Sequence, residues 1–198
     1  MNKIKFIALF VICLLLIISC TNQEKPISSE KGLPEPPLKK VVVQKEIMHT
    51  IQILGDNECK QKTNAALTLL STIPADYQKV ISYINIIDCK ETSSGMYPWE
   101  ISPRFVVGKQ TYTHHPIWYA GVIVHDACHS RQYSDYLAQH PGQSVPHNVF
   151  TGSAAEQECL LEQYETLTTL QAPTEYTLYL KEQMKTNYWE KPLHERWW

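Results

Sequence analysis

The chain has 198 residues, of which 43% are hydrophobic, and its 18 Lys and Arg residues against 20 Asp and Glu residues give a net charge of −2. This length suits one domain with a single hydrophobic core. The charge is nearly balanced and forms no basic stripe along the sequence, so we do not expect a nucleic-acid-binding protein.

The first twenty residues have the parts of a bacterial export signal. Lys3 and Lys5 form a short positive region, and the apolar run that follows is shorter than the about 20 residues needed to span a bilayer. The run ends in Ile-Ile-Ser-Cys, which resembles a lipobox, where the signal is cut before a Cys that is then acylated, for example with palmitate. The resemblance implies a signal peptide at 1–19, lipidation of Cys20 and a stable membrane anchor.

The segment after the predicted signal is expected to be a flexible linker. Residues 20–40 are polar and rich in proline, with no apolar periodicity, which predicts the lipidated Cys followed by a flexible linker. Residues 41–198 are expected to form the exported domain. Thr21, rather than Asp, follows Cys20. By resemblance to the sorting rule for bacterial lipoproteins, the domain is expected in the cell envelope, at the outer membrane if the host is Gram-negative.

Apolar periodicity predicts the elements of the domain in chain order. Short strands are expected at 41–43 and 51–54, and a helix at 57–72 is followed by a short helix from about residue 75. Further strands are expected around 82–88, 105–107 and 110–112, with turns at 93–95 and 108–109. Helices are then expected at 116–139, 153–170 and 174–189. This order predicts an α+β fold in which a small sheet packs on central helices.

The helix at 116–139 carries two histidines four residues apart, after an apolar stretch. On a helix, this spacing places His125 and His129 on one face, with Cβ atoms about 5–6 Å apart, so that both imidazoles can reach one ion. Buried imidazoles need partners, and a metal ion supplies one to each. Two hydrogen-bonded core histidines without a metal are the alternative.

The segment His125-Asp126-Ala127-Cys128-His129 resembles the His-Glu-x-x-His helix of zincin-type, gluzincin-like zinc metallopeptidases. The resemblance covers this helix and the next one. It implies that His125 and His129 bind Zn²⁺ and that Asp126 occupies the position of the catalytic general base. Asp126 is one methylene shorter than the Glu of the family, so a non-catalytic zincin-like scaffold or binding module is the alternative.

In the gluzincin branch, the third zinc ligand is a Glu on a following helix. The candidates here are Glu156 and Glu158, and helical spacing places Glu156 on the face expected to be buried and Glu158 on the face expected to be exposed. We therefore expect Glu156 to be the ligand. The pattern Ser153-x-x-Glu156 also fits a capping box, which would need no metal.

Four cysteines remain in the expected exported domain, where an oxidising compartment favours two disulfides. Cys128 lies three residues after His125 and Cys159 lies three residues after Glu156, so helices that share an ion would bring these two cysteines together. The expected pairings are Cys59–Cys89 and Cys128–Cys159. Buried free thiols, or thiols that bind the metal, are the alternatives.

Other side chains near the motif have weaker patterns. Arg131 and Gln132 directly follow His129 and are candidates for orienting the ligands. His147, between the two ligand helices, could line the cleft, although an exposed loop position is more common. Tyr119 could stabilise an oxyanion, although core packing is more common. The residues and the resemblance together predict a membrane-anchored zinc hydrolase that acts on peptides or proteins of the envelope. They do not indicate an oligomeric state.

Overall fold

The computed structural model describes residues 50–191. The predicted signal peptide, Cys20, the linker and the strand predicted at 41–43 lie outside the described residues. The described elements are β1 (Gln52–Leu54), α1 (Asn57–Leu70), α2 (Pro74–Tyr83), β2 (Ile86–Lys90), β3 (Gly95–Tyr97), β4 (Arg104–Gly108), α3 (Lys109–Tyr112), α4 (Pro116–Gln139), α5 (His147–Phe150), α6 (Ser153–Thr169), α7 (Thr174–Gln183) and a short 3-10 helix (Tyr188–Glu190). None of the helices within 50–191 combines the length and apolarity needed to cross a bilayer.

The four strands form one mixed sheet in the order β1-β2-β4-β3. β1, β2 and β4 run parallel, whereas β3 pairs antiparallel with β4 at the edge. Parallel neighbours need a crossover connection, and α1 with α2 supplies it between β1 and β2. The predicted combination of a small sheet with central helices is therefore confirmed.

α4 is the central helix of the core. Pro116 occupies its first turn, where the missing N–H is not needed, and the His115 Nδ1 atom accepts a hydrogen bond from the backbone N–H of Ile117 at 3.2 Å. Every residue from Trp118 to Ser130 is buried. A helix buried on all sides requires neighbours on all sides, and α1, α2, α6 and the edge strand β3 provide them.

Gly121 allows α6 to lie close to α4. A Cβ atom at this position would be 2.8 Å from Leu167 Cδ2 and 3.1 Å from Gln163 Cγ, both on α6. These distances are shorter than ordinary van der Waals contact, and Leu167 and Gln163 are themselves buried. The absence of a side chain at Gly121 therefore sets the separation of the two helices that carry the predicted ligands.

Two predicted strands were wrong in part. Residues 82 and 83 end α2, and β2 starts only at Ile86, because a short apolar run does not by itself distinguish a helix end from a strand. Residues 110–112 belong to the short helix α3, which follows Gly108 at the end of β4. Their β-branched and aromatic side chains are buried, and this tertiary packing outweighs the local strand propensity.

One further element differs at its boundary, and one strand was not predicted. The last predicted helix, 174–189, ends at Gln183, and only a turn and the 3-10 helix follow. The edge strand β3 was not predicted, since Gly95 was assigned to a turn. Pairing with β4 makes the strand, with Met96 opposite Phe105, and such a non-local contact leaves no periodic pattern in three residues.

We predict that Gly121→Val destabilises the protein by about 3 kcal/mol or more, because overpacking adds to the strain of separating α4 from α6. Chemical denaturation followed by circular dichroism measures this change. The matched control is Gly95→Val, where an added Cβ has no heavy atom within 4 Å. Equal stability losses for the two variants would contradict the proposed close contact.

Candidate metal centre

Three side chains from two helices converge on one point. His125 and His129 lie one turn apart on α4, each 7% exposed, and their Nε2 atoms are 3.0 Å apart. Glu156, in the first turn of α6, places its Oε2 atom 3.4 Å from Nε2 of His125 and 3.5 Å from Nε2 of His129. The three residues predicted as metal ligands are therefore brought together.

The separations of the three donor atoms fit a tetrahedral metal ion. Two ligands of a zinc ion with bond lengths of about 2.0–2.1 Å lie about 3.3 Å from each other. The observed sides of the donor triangle, 3.0, 3.4 and 3.5 Å, bracket that value. The buried group of His125, His129 and Glu156 can accordingly hold a metal ion.

The two histidines favour the charged form of the Glu156 carboxylate. Burial raises the pKa of Glu156, but its hydrogen bonds to the two histidines outweigh this effect and hold the pKa well below the usual value. Burial lowers the pKa of His129, but the Glu156 carboxylate raises it by more, so the pKa of His129 is above its usual value. The carboxylate is thus stabilised in its charged form, and either a proton on imidazole or a metal ion can balance it.

Asp126 lies in the same cleft, next to His125 on α4. It is 6% exposed. Burial raises the pKa of its carboxyl more than the charges of the neighbouring histidines lower it, and the resulting pKa is about 6. The structure therefore puts a buried carboxyl group, in addition to the partly buried one of Glu156, at the wall of the same cleft and on the same helix as the two histidines.

The candidate metal centre of His125, His129 and Glu156 lies in an open cleft of about 320 Å³ between α4, α6 and the edge strand β3. Three aromatic side chains form part of its wall: the Trp99 ring centroid lies 5.4 Å from that of Tyr97 and 6.0 Å from that of Phe150. Trp99 is 54% exposed, so the wall continues to the surface. Sequence analysis missed these aromatics, because they come from three places: Tyr97 ends β3, Trp99 lies in the loop after it, and Phe150 belongs to the short helix α5.

Glu158, the rival third ligand, lies outside the cleft. Arg131 pairs with Glu158 and with Glu162, and Gln132 Nε2 donates a hydrogen bond to Glu158 Oε2 at 2.9 Å. Arg131 and Gln132 therefore connect α4 to α6 on a different side and do not contact the imidazoles of the metal centre through these bonds. The capping-box alternative for Glu156 is wrong, because Gly152 is the N-cap of α6 and Ser153 is already helical.

Of the remaining candidates, only His147 lines the cleft. The hydroxyl of Tyr119 is buried and forms a hydrogen bond with the Thr63 hydroxyl at 2.9 Å, which joins α4 to α1. Tyr119 is thus part of the core, in agreement with the packing alternative.

No family model, no curated protein and no solved structure matches this chain.

Both expected disulfides are present. Cys59–Cys89 joins α1 to β2, with Cα atoms 6.2 Å apart, and Cys128–Cys159 joins α4 to α6, with Cα atoms 5.4 Å apart. The second bridge adjoins the metal centre, since Cys159 Sγ lies 3.5 Å from His129 Nδ1. The alternative that these cysteines act as thiolate ligands is therefore wrong for the described structure.

The two bridges provide a matched pair of variants, because they close loops of nearly equal length, with sequence separations of 30 and 31. Loop entropy predicts that replacing either Cys pair with Ser costs about 3–4 kcal/mol of unfolding free energy. Only the Cys128/Cys159 double variant is expected to weaken metal affinity as well, because only that bridge holds the ligand helices together. Calorimetric zinc titration of both variants under conditions where they remain folded measures the difference, and equal affinities would contradict this role.

Proposed function

We propose that the protein is a zinc-dependent hydrolase of the zincin type that cleaves peptide bonds in the cell envelope. The observation that supports this function best is the convergence of two imidazoles and one carboxylate on a single point in an open cleft. Catalytic zinc sites use three protein ligands and leave one position open, whereas structural zinc sites are usually closed by a fourth protein ligand. Among the described residues, no fourth His, Cys, Asp or Glu belongs to the ligand group.

The donor set favours zinc over the other common divalent ions. Mg²⁺ and Ca²⁺ prefer oxygen ligands throughout, whereas imidazole nitrogens suit zinc and later transition metals. His125 and His129 would supply the nitrogens and Glu156 the oxygen. When bound, zinc acidifies a water molecule and polarises the carbonyl that is to be attacked.

The chain's own residues then have distinct tasks. Asp126 would accept the proton of the attacking water and return it to the leaving amine, as a general base and then a general acid. Its position directly after His125 puts the carboxyl beside the ligands on the same helix turn. The edge strand β3 and the aromatic side chains around Trp99 would form the wall along which an extended peptide lies.

The proposed location follows from the cysteines. The two disulfides favour an oxidising compartment, and the sequence before the domain resembles a lipoprotein signal with Cys20 as the acylated residue. The substrate would accordingly be a peptide or protein of the envelope, reached from a membrane anchor.

A non-catalytic zincin-like lipoprotein that binds a partner is the second candidate. The observation that favours it is Asp126 itself, because its carboxyl is one methylene closer to the backbone than that of Glu. General-base catalysis is sensitive to displacements of about 1 Å. In this candidate, the protein would keep the metal centre and lose the reaction.

Measuring the bound zinc of variants distinguishes the proposed ligand Glu156 from its neighbour Glu158. We expect the full chain to retain close to one zinc per molecule, measured by inductively coupled plasma mass spectrometry after dialysis, and Glu156→Gln to lose most of it, because a charged ligand is removed. The matched control is Glu158→Gln, on the same helix, which should retain zinc. Equal zinc contents in the two variants would contradict the assignment of Glu156.

Substitution of Asp126 separates the two candidate functions. With quenched fluorescent casein as a general unfolded substrate, we expect Asp126→Asn to lower the rate of hydrolysis by about 100-fold or more while zinc content is unchanged, since the proton acceptor is lost. Activity that appears only in Asp126→Glu would instead support the non-catalytic candidate.

A further inference from the structure

Gln163 is a buried polar residue of the cleft with no role in the proposed reaction. It lies two turns after Glu156 on α6 and lines the same cleft as the three ligands. The residue is 1% exposed, and its Nε2 atom has no hydrogen-bond acceptor among residues 50–191. The close approach of α4 at Gly121 fixes the side chain, with Gln163 Cγ 3.1 Å from where a Cβ of Gly121 would be.

A buried amide N–H group without an acceptor is unusual, because most buried polar groups form hydrogen bonds. Leaving the N–H groups unpaired loses their hydration without compensation, so an apolar side chain of similar length would stabilise the free protein more. An amide at this position is explained if its partner is a ligand of the cleft. A peptide group is a suitable partner, since it offers an acceptor and a donor to the two ends of a carboxamide.

The charges of the cleft distinguish an internal peptide segment from a chain end. Among the described residues that line it, none is Lys or Arg, whereas Asp126 and Glu156 are both acidic. A terminal carboxylate is usually bound by a guanidinium or ammonium group, which this lining lacks. A neutral backbone carbonyl needs only an N–H donor such as that of Gln163.

We propose that the carboxamide of Gln163 binds a backbone peptide group of the substrate, so that the cleft takes uncharged, internal peptide segments rather than a carboxyl-terminal end. This inference rests on the proposed function and names its substrate class. Gln163 is a substrate-binding residue in this account, since its amide touches the peptide and not the metal ligands.

The variant Gln163→Met tests the proposal, because methionine fills a similar volume without the amide. In the zinc-loaded full chain, we expect the melting temperature to stay the same or rise by about 2–4 °C, since an unpaired polar group is removed. The dissociation constant for N-acetyl-tetraalanine amide, measured by nuclear magnetic resonance titration, should increase about 5–10-fold, which corresponds to one lost hydrogen bond.

The matched control is Gln157→Met on the same helix, outside the cleft. Gln157 Nε2 donates a hydrogen bond to the backbone carbonyl of Met184 at 2.7 Å, so this variant should lose stability and keep the peptide affinity. The two glutamines are therefore expected to show opposite patterns. A purely structural Gln163 would behave like Gln157, with a lower melting temperature and an unchanged dissociation constant.

Three results would overturn the inference: that structural pattern for Gln163→Met, no binding of the blocked peptide by the wild-type chain, or tighter binding of N-acetyl-tetraalanine with a free carboxylate that Gln163→Met does not change. Zinc content and casein hydrolysis measured on the same samples keep the two proposals apart. A wild-type chain that holds zinc and cleaves casein, with no effect of Gln163→Met on peptide affinity, refutes the role of Gln163 alone. A wild-type chain without zinc refutes the proposed function and this inference with it.

Discussion

The packing of α4 against α6 determines whether the cleft has a metal centre, because the histidines come from one helix and the glutamate from the other. Three separate features hold the two helices together. Gly121 removes the side chain that would push them apart, the Cys128–Cys159 bridge links them covalently, and Arg131 forms ion pairs with Glu158 and Glu162. A shift between the helices would change the distances between the Glu156 carboxylate and the two imidazoles, on which binding of a single ion depends.

Burial gives the same site its electrostatic character. The imidazoles and Asp126 are each less than a tenth exposed, so their charges are poorly screened by water and act strongly on one another. The hydrogen bonds from the histidines outweigh burial and hold the pKa of the Glu156 carboxyl below its usual value, whereas burial outweighs the histidine charges at Asp126 and raises its pKa to about 6. Two carboxyl groups in one cleft thus differ in their readiness to hold a proton, which agrees with the proposed roles of Glu156 as ligand and Asp126 as base.

Helical periodicity was enough to predict much of the site. The four-residue spacing of His125 and His129, and the buried face that distinguishes Glu156 from Glu158, are properties of single helices that the sequence contains directly. The pairing of Cys128 with Cys159 followed once the two ligand helices were expected to share an ion. These predictions needed only the residue spacing within each helix and the expectation that both helices bind the same ion.

The parts that could not be predicted depend on contacts between distant segments. β3 exists because it pairs with β4, and the aromatic wall needs Trp99 to meet Phe150 across about fifty residues of chain. The helical form of 110–112 likewise reflects tertiary burial rather than propensity. The unpaired Gln163 Nε2 atom likewise follows only from the packing of α4 and other segments around α6.

X-ray absorption spectroscopy at the zinc edge of the loaded full chain tests most directly whether His125, His129 and Glu156 bind one zinc ion. We expect a first shell of nitrogen and oxygen at about 2.0–2.1 Å, with the outer-shell scattering of two imidazoles and no sulfur at about 2.3 Å. His129→Ala should remove one imidazole from the fit. A sulfur shell, an imidazole count that His129→Ala leaves unchanged, or no zinc retained by the wild-type chain would contradict the account.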